Sequence, residues 1–168
     1  MASIKKPLHQ LDAWQAAEAL AHRDIQAIDL VRACLDRIEQ RDPVVHAFVE
    51  LNANAALALA RQLDAGPVRG LLHGLPFGVK DLLDTADLPT AYGSQIYAGQ
   101  QPLADAAAVA LCREAGAVLL GKTVSTELAN MHPGVTRHPH NLQHTPGGSS
   151  SGSAAAVADG MLPLALGT

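Results

Sequence analysis

The chain has 168 residues, enough for one domain with a core of its own. Nearly half are hydrophobic (48%) but only 3% are aromatic, so alanine, leucine and valine must build that core. A net charge of −4, with both signs scattered along the chain, excludes the basic stripe that nucleic acid binding requires.

At the N-terminus Lys5, Lys6 and Pro7 are followed by no apolar run of signal-peptide type. Trp14, Ala17, Leu20 and Ala21 recur at helical spacing and predict a first amphipathic helix over 11–22. Leu30, Val31, Cys34, Leu35 and Ile38 make one face of a second helix over 28–41, with Pro43 as its stop. A short strand over 46–51 and an alanine-rich helix over 54–63 follow. Cys34 and Cys112 both fall in apolar, helix-patterned stretches. They read as free thiols of a reducing compartment, with a disulfide as the alternative.

The texture then changes. Gly70, Gly74, Pro76 and Gly78 punctuate the chain up to a strand over 77–80 that ends on Lys80. Residues 84–101 are rich in turn formers and predict a long surface loop. Asp105 is the expected N-cap of a helix through 115, which Gly116 closes; a buried strand over 118–120 follows, left by Gly121-Lys122-Thr123. Residues 132–146 are loop-like. They lead into Gly147-Gly148-Ser149-Ser150-Ser151-Gly152-Ser153, a helix over 152–159 and a strand over 162–166. Helix, glycine and apolar strand in this order predict an α/β fold, a mixed and largely parallel sheet flanked by helices on both faces. The apolar stretch 154–166 is broken by Asp159, Gly160 and Pro163, too short to span a bilayer. The expectation is a cytoplasmic protein without membrane contact.

Four places have chemical potential. The Gly/Ser segment before a helix frees backbone N–H groups to converge on a carboxylate, phosphate or oxyanion; its alternative is a flexible turn with a serine cap. It has no lysine of the kind a nucleotide loop of the Walker type uses. Lys80, at the carboxyl end of an apolar strand, is either a solvated charge or a desolvated base of lowered pKa. His132, His138, His140 and His144 lack regular ligand spacing and read as a solvated loop rather than a metal site. Asp84 and Asp87 read as solubilising or capping carboxylates.

Three segments taken together resemble the amidase signature family in order and spacing. They are Gly74-Leu75-Pro76-Phe77-Gly78-Val79-Lys80-Asp81, then Gly121-Lys122-Thr123, then the run from Thr145-Pro146-Gly147-Gly148 through Ser149-Ser150-Ser151-Gly152-Ser153-Ala154 to Ala158. The resemblance implies an amidase that cleaves a carboxylic amide through an acyl-enzyme, using a Ser–cis-Ser–Lys triad and neither metal nor cofactor. Lys80 matches the triad lysine. Ser149 matches the bridging serine, joined to Gly148 by a cis peptide bond. Ser150 matches a serine that holds the lysine by hydrogen bonding, with Gly147, Gly148 and Ser151 in support.

In the family the attacking serine follows a Leu-Ala-Leu-Gly-Thr stretch, which here is 164–168. The resemblance therefore implies the N-terminal portion of one amidase domain, leading helices over 1–65 and the start of the signature core over 66–168. Such a piece is expected to be inactive alone and to self-associate through exposed edges and apolar surface as a homo-oligomer. Its expected partner is a small-molecule amide. Within the family, the A subunit of a glutamyl-tRNA amidotransferase is the main rival. Thr123-Val124-Ser125-Thr126-Glu127-Leu128 departs from the Asn-Met-Asp-Glu-Phe run of that protein, which favours a free-standing amidase. A non-catalytic truncated fragment is the remaining alternative.

Overall fold

The computed structural model describes residues 6–168; Lys5 and the four residues before it, part of the N-terminal expectation above, lie outside the described residues. Helix α1 (Ala13–Ala21) starts where the Asp12 carboxylate accepts the Gln15 N–H at 2.8 Å and the Gln15 side chain accepts the Asp12 N–H in return. It buries Ala16, Ala19 and Leu20, and leaves Trp14 76% exposed. The buried face is thus rotated from the expected one: an alanine stripe lets α1 approach its neighbours more closely than the indole would.

Helix α2 (Ala27–Val45) runs two residues past Pro43 instead of ending before it. Its last turn is held from outside the helical ladder, because Val45 is fully buried and the Asp42 carboxylate accepts the Ala47 N–H at 2.6 Å. His46, in the left-handed region at φ 54°, then ends the helix. At the other end the Asp64 carboxylate accepts the N–H groups of Ala27 and Ile28 at 2.7 and 3.0 Å. Asp64 belongs to α3 (Ala53–Ala65), so one helix caps another.

Among the described residues four strands form one sheet in the order β1 (Phe48–Leu51), β3 (Val118–Thr123), β2 (Pro76–Lys80), β4 (Leu164–Leu166). Strand β2 is parallel to both its neighbours and β1 is antiparallel to β3, so the sheet is mixed and largely parallel. Strand β1 comes from the leading segment, which therefore shares its sheet with the later core. Strand β3 is three residues longer than expected, since Gly121, Lys122 and Thr123 stay in the ladder.

Two apolar clusters lie on the two faces. Leu75, Val118 and Leu120 pack with α2, α3 and α5 (Ser151–Ala158); Phe77, Val79 and Leu119 pack with Val109 of α4 (Ala107–Glu114). Asp105 does not cap α4: its carboxylate accepts the Ala86 N–H at 2.8 Å and meets Arg113 at 3.0 Å. The predicted surface loop over 84–101 is partly interior, with Thr85, Leu88, Thr90 and Ser94 buried. Cys34 is buried and its thiol is pushed up to about 12 by desolvation; Cys112 is half-buried, and both are free. Among the described residues no helix is long and apolar enough to cross a membrane.

Candidate active site

Alternation along β2 decides what the site contains. Phe77 and Val79 join the cluster under α4, so Gly78 and Lys80 point to the opposite face, toward α5. The Lys80 side chain is fully buried there, and its Nζ lies within hydrogen-bond distance of Ser149 Oγ at 2.6 Å and Thr168 Oγ1 at 2.5 Å. Among the described residues no side-chain carboxylate pairs with it. Burial alone holds the amine below the usual lysine range.

Ser149 arrives from the turn ahead of α5. The Gly148–Ser149 peptide bond is cis, and Gly147 has φ +88°. The Ser149 carbonyl accepts the Thr126 N–H at 3.0 Å, which ties the turn to the end of β3. Helix α5 then packs directly onto the sheet, and Gly152 makes this approach feasible. A Cβ at that position would run into the Ala47 carbonyl and the Val124 nitrogen. Gly152 N–H and Ser151 Oγ both donate to the Val124 carbonyl, at 2.9 and 3.3 Å. Further along, Ser153 Oγ contacts Thr123 Oγ1 at 2.7 Å and donates to the Leu166 carbonyl at 2.9 Å.

The expected Ser150–Lys80 hydrogen bond is replaced by a different one. Ser150 Oγ accepts the Thr168 N–H at 3.1 Å and donates to the Thr168 carbonyl at 3.2 Å. Its hydroxyl is thereby committed to the backbone of the residue whose side chain meets Lys80. Sequence reasoning missed Thr168 itself. The signal that could have found it is the parallel pairing of Val79 with Leu166, which carries the chain end beside the end of β2.

Sequence reasoning also missed Asp81 and Lys122 as a unit, yet both are buried and pair at 3.1 Å. Beside Ser149 a cavity of about 440 Å³ opens between Thr126, Asn130, Met131, Pro133, Thr145 and Gly147, with no charged side chain in its wall. His132, His140 and His144 are exposed and His138 is half-buried. Among the described residues no group of three or more His, Cys, Asp or Glu is arranged to hold a metal ion. The Tyr92 hydroxyl donates to the Asp84 carboxylate at 3.0 Å, and Asp87 pairs with Arg113 at 2.6 Å.

The family model described as Amidase matches residues 29–168. The chain is 45% identical to the A subunit of the glutamyl-tRNA(Gln) amidotransferase of Acidothermus cellulolyticus, over 93% of this chain and 33% of that protein. Against the protein of the same name from Roseiflexus castenholzii it is 44% identical, over 96% and 35%. Among solved structures, the peptide amidase of Stenotrophomonas maltophilia superposes with a TM-score of 0.85 at 36% identity, over 93% of this chain and 35% of that one. Fatty acid amide hydrolase superposes with a TM-score of 0.88 at 24% identity, over 95% and 30%, a likeness of fold. The chain spans about a third of the length of the curated relatives it matches.

Proposed function

The chain belongs to the amidase family, and from that premise we propose that it carries the proton-handling half of an amide-cleaving serine site. Lys80 is the base, Ser149 the proton bridge, and Ser150 with Gly147, Gly148 and Ser151 the support. The observation that carries this reading is the contact of Lys80 Nζ with Ser149 Oγ at 2.6 Å, in a pocket of hydroxyls free of carboxylates.

An amide has a poorly electrophilic carbon and a poor leaving group. Attack therefore needs an activated hydroxyl, and departure needs a proton on nitrogen. A neutral Lys80 has one lone pair and two N–H bonds. With one N–H given to Thr168 Oγ1, the lone pair is free to take the Ser149 proton. Ser149 in turn takes the proton of an attacking hydroxyl, which the part of the relatives' length not spanned here supplies. Reversing both transfers delivers a proton to the departing amine. Burial favours the neutral amine, because charging it means desolvating an ammonium with only two hydroxyl partners.

The substrate of this reading is a small carboxylic amide. Free-standing hydrolysis is favoured by the Thr123-Val124-Ser125-Thr126-Glu127-Leu128 run. Ammonia transfer within a multisubunit amidotransferase is the second reading, favoured by identities of 45% and 44% to proteins so named. Ammonia release from glutamine and from peptide amides tests both, in a version of the chain carried to the relatives' full length. Hydrolysis without added partner proteins supports the first; release that requires partner proteins and tRNA supports the second. Absence of amide cleavage in both settings contradicts the proposal.

A further inference from the structure

Lys122 and Asp81 have no part in the relay, yet they are 0% and 2% exposed. A buried ion pair adds little net stability over apolar side chains of the same volume, so stability alone does not account for it. Lys122 Nζ reaches Asp81 at 3.1 Å, Thr90 Oγ1 at 2.6 Å and the Pro89 carbonyl at 3.2 Å. Three acceptors for three N–H donors is the arrangement of a charged ammonium. The Asp81 carboxylate also accepts the Ala91 N–H at 3.2 Å, so backbone and lysine together hold it in place.

A bulge puts this pair where it is. Phe77 pairs with Leu119 and Gly78 with Gly121, so β3 has one residue more than β2 at that point. The extra residue inverts the alternation of β3. Lys122 thereby shares a face with Val79, its register partner, and with Asp81, away from Lys80. Gly121 allows the bend, since a Cβ there would strike the Glu50 carbonyl oxygen.

We propose that Lys122 is a positioning residue for the Lys80 amine: its charge cancels that of Asp81 across the sheet and leaves the amine with hydroxyl neighbours alone. The inference rests on the reading of Lys80 as base. Lys80 faces the hydroxyls of Ser149 and Thr168, and its register partner Thr123 adds a third on the same face. Asp81 and Lys122 lie behind the sheet; burial pulls the Lys122 amine below the usual lysine range, and Asp81, Asp84 and Asp87 act against that pull and favour its charged form. Coulomb fields between groups removed from water act without contact. An uncompensated Asp81 would therefore favour the ammonium form of Lys80 and weaken it as a base.

The chain has only four lysines, Lys5, Lys6, Lys80 and Lys122, so NMR titration of ¹³C-lysine-labelled protein reads each amine separately. Lys122→Met should raise the Lys80 midpoint, by less than the roughly one to three pH units of an opposite charge at contact distance, because Asp81 acts from across the sheet. Asp81→Asn should lower it, and the double variant should return it to the wild-type value. If Lys122→Met does not fold, the near-isosteric Asp81→Asn decides alone. An unmoved Lys80 midpoint in the folded single variants, or a double variant as far from wild type as Lys122→Met, overturns the proposal. A wild-type Lys80 that titrates in the usual lysine range instead sinks the reading of Lys80 as base, whatever the variants do.

Discussion

The amine of Lys80 and the carboxylate of Asp81 occupy opposite faces of one sheet, although the two residues are neighbours in the chain. One meets Ser149 at 2.6 Å and the other meets Lys122 at 3.1 Å. Strand alternation thus separates an acid from a base that would otherwise form an ion pair with it.

The first consequence is a pH dependence. Burial lowers the Lys80 pKa in the folded chain, so between the folded and unfolded values the unfolded state binds more protons. Stability therefore rises with pH through that window, and below the folded value the contribution is gone. In denaturant titrations of the 168-residue chain, Lys80→Met should reduce this rise and leave the share that the lowered Lys122 amine contributes. In a version at the relatives' full length, kcat/KM should rise with pH with its midpoint below the usual lysine range.

Thr168 should matter through its hydroxyl. Thr168→Val removes an acceptor from a buried amine, a loss of about 1 kcal/mol or somewhat more, or about tenfold in kcat. Thr168→Ser keeps the oxygen and should retain most activity. Steady-state kinetics at saturating amide measures both, and equal losses in the two variants would contradict the role.

Gly152 is where α5 touches the sheet. Gly152→Ala forces a methyl group into the Ala47 carbonyl and the Val124 nitrogen, both backbone atoms that cannot turn aside. The expected loss is about 1–3 kcal/mol or more, read as a lower denaturation midpoint. Ala154→Gly, at an exposed position of the same helix, should cost only about 1 kcal/mol.

The regular elements were legible because their signals are local: the apolar face of α2, the run of β2, and Gly116 after α4. What escaped depends on partners distant in sequence. Pro43 reads as a stop, yet contacts of Val45 and Asp42 carry α2 past it. Trp14 reads as a core residue of α1, but the face that packs inward is that of Ala16, Ala19 and Leu20. Asp105 reads as a cap until Arg113 and Ala86 engage it. The candidate lysine and serine stood out through the motif. The Ser150–Thr168 bonds and the Lys122–Asp81 pair did not, since a β3 bulge and the parallel pairing of β4 create them.

The role of Lys80 is tested most directly by kcat/KM for amide cleavage by Lys80→Ala, in a version of the chain carried to the relatives' full length. Loss of a positioned base should lower it by about 10²–10⁴-fold while the variant still folds and binds substrate. Turnover close to that of the unsubstituted protein would contradict the assignment of Lys80 as base.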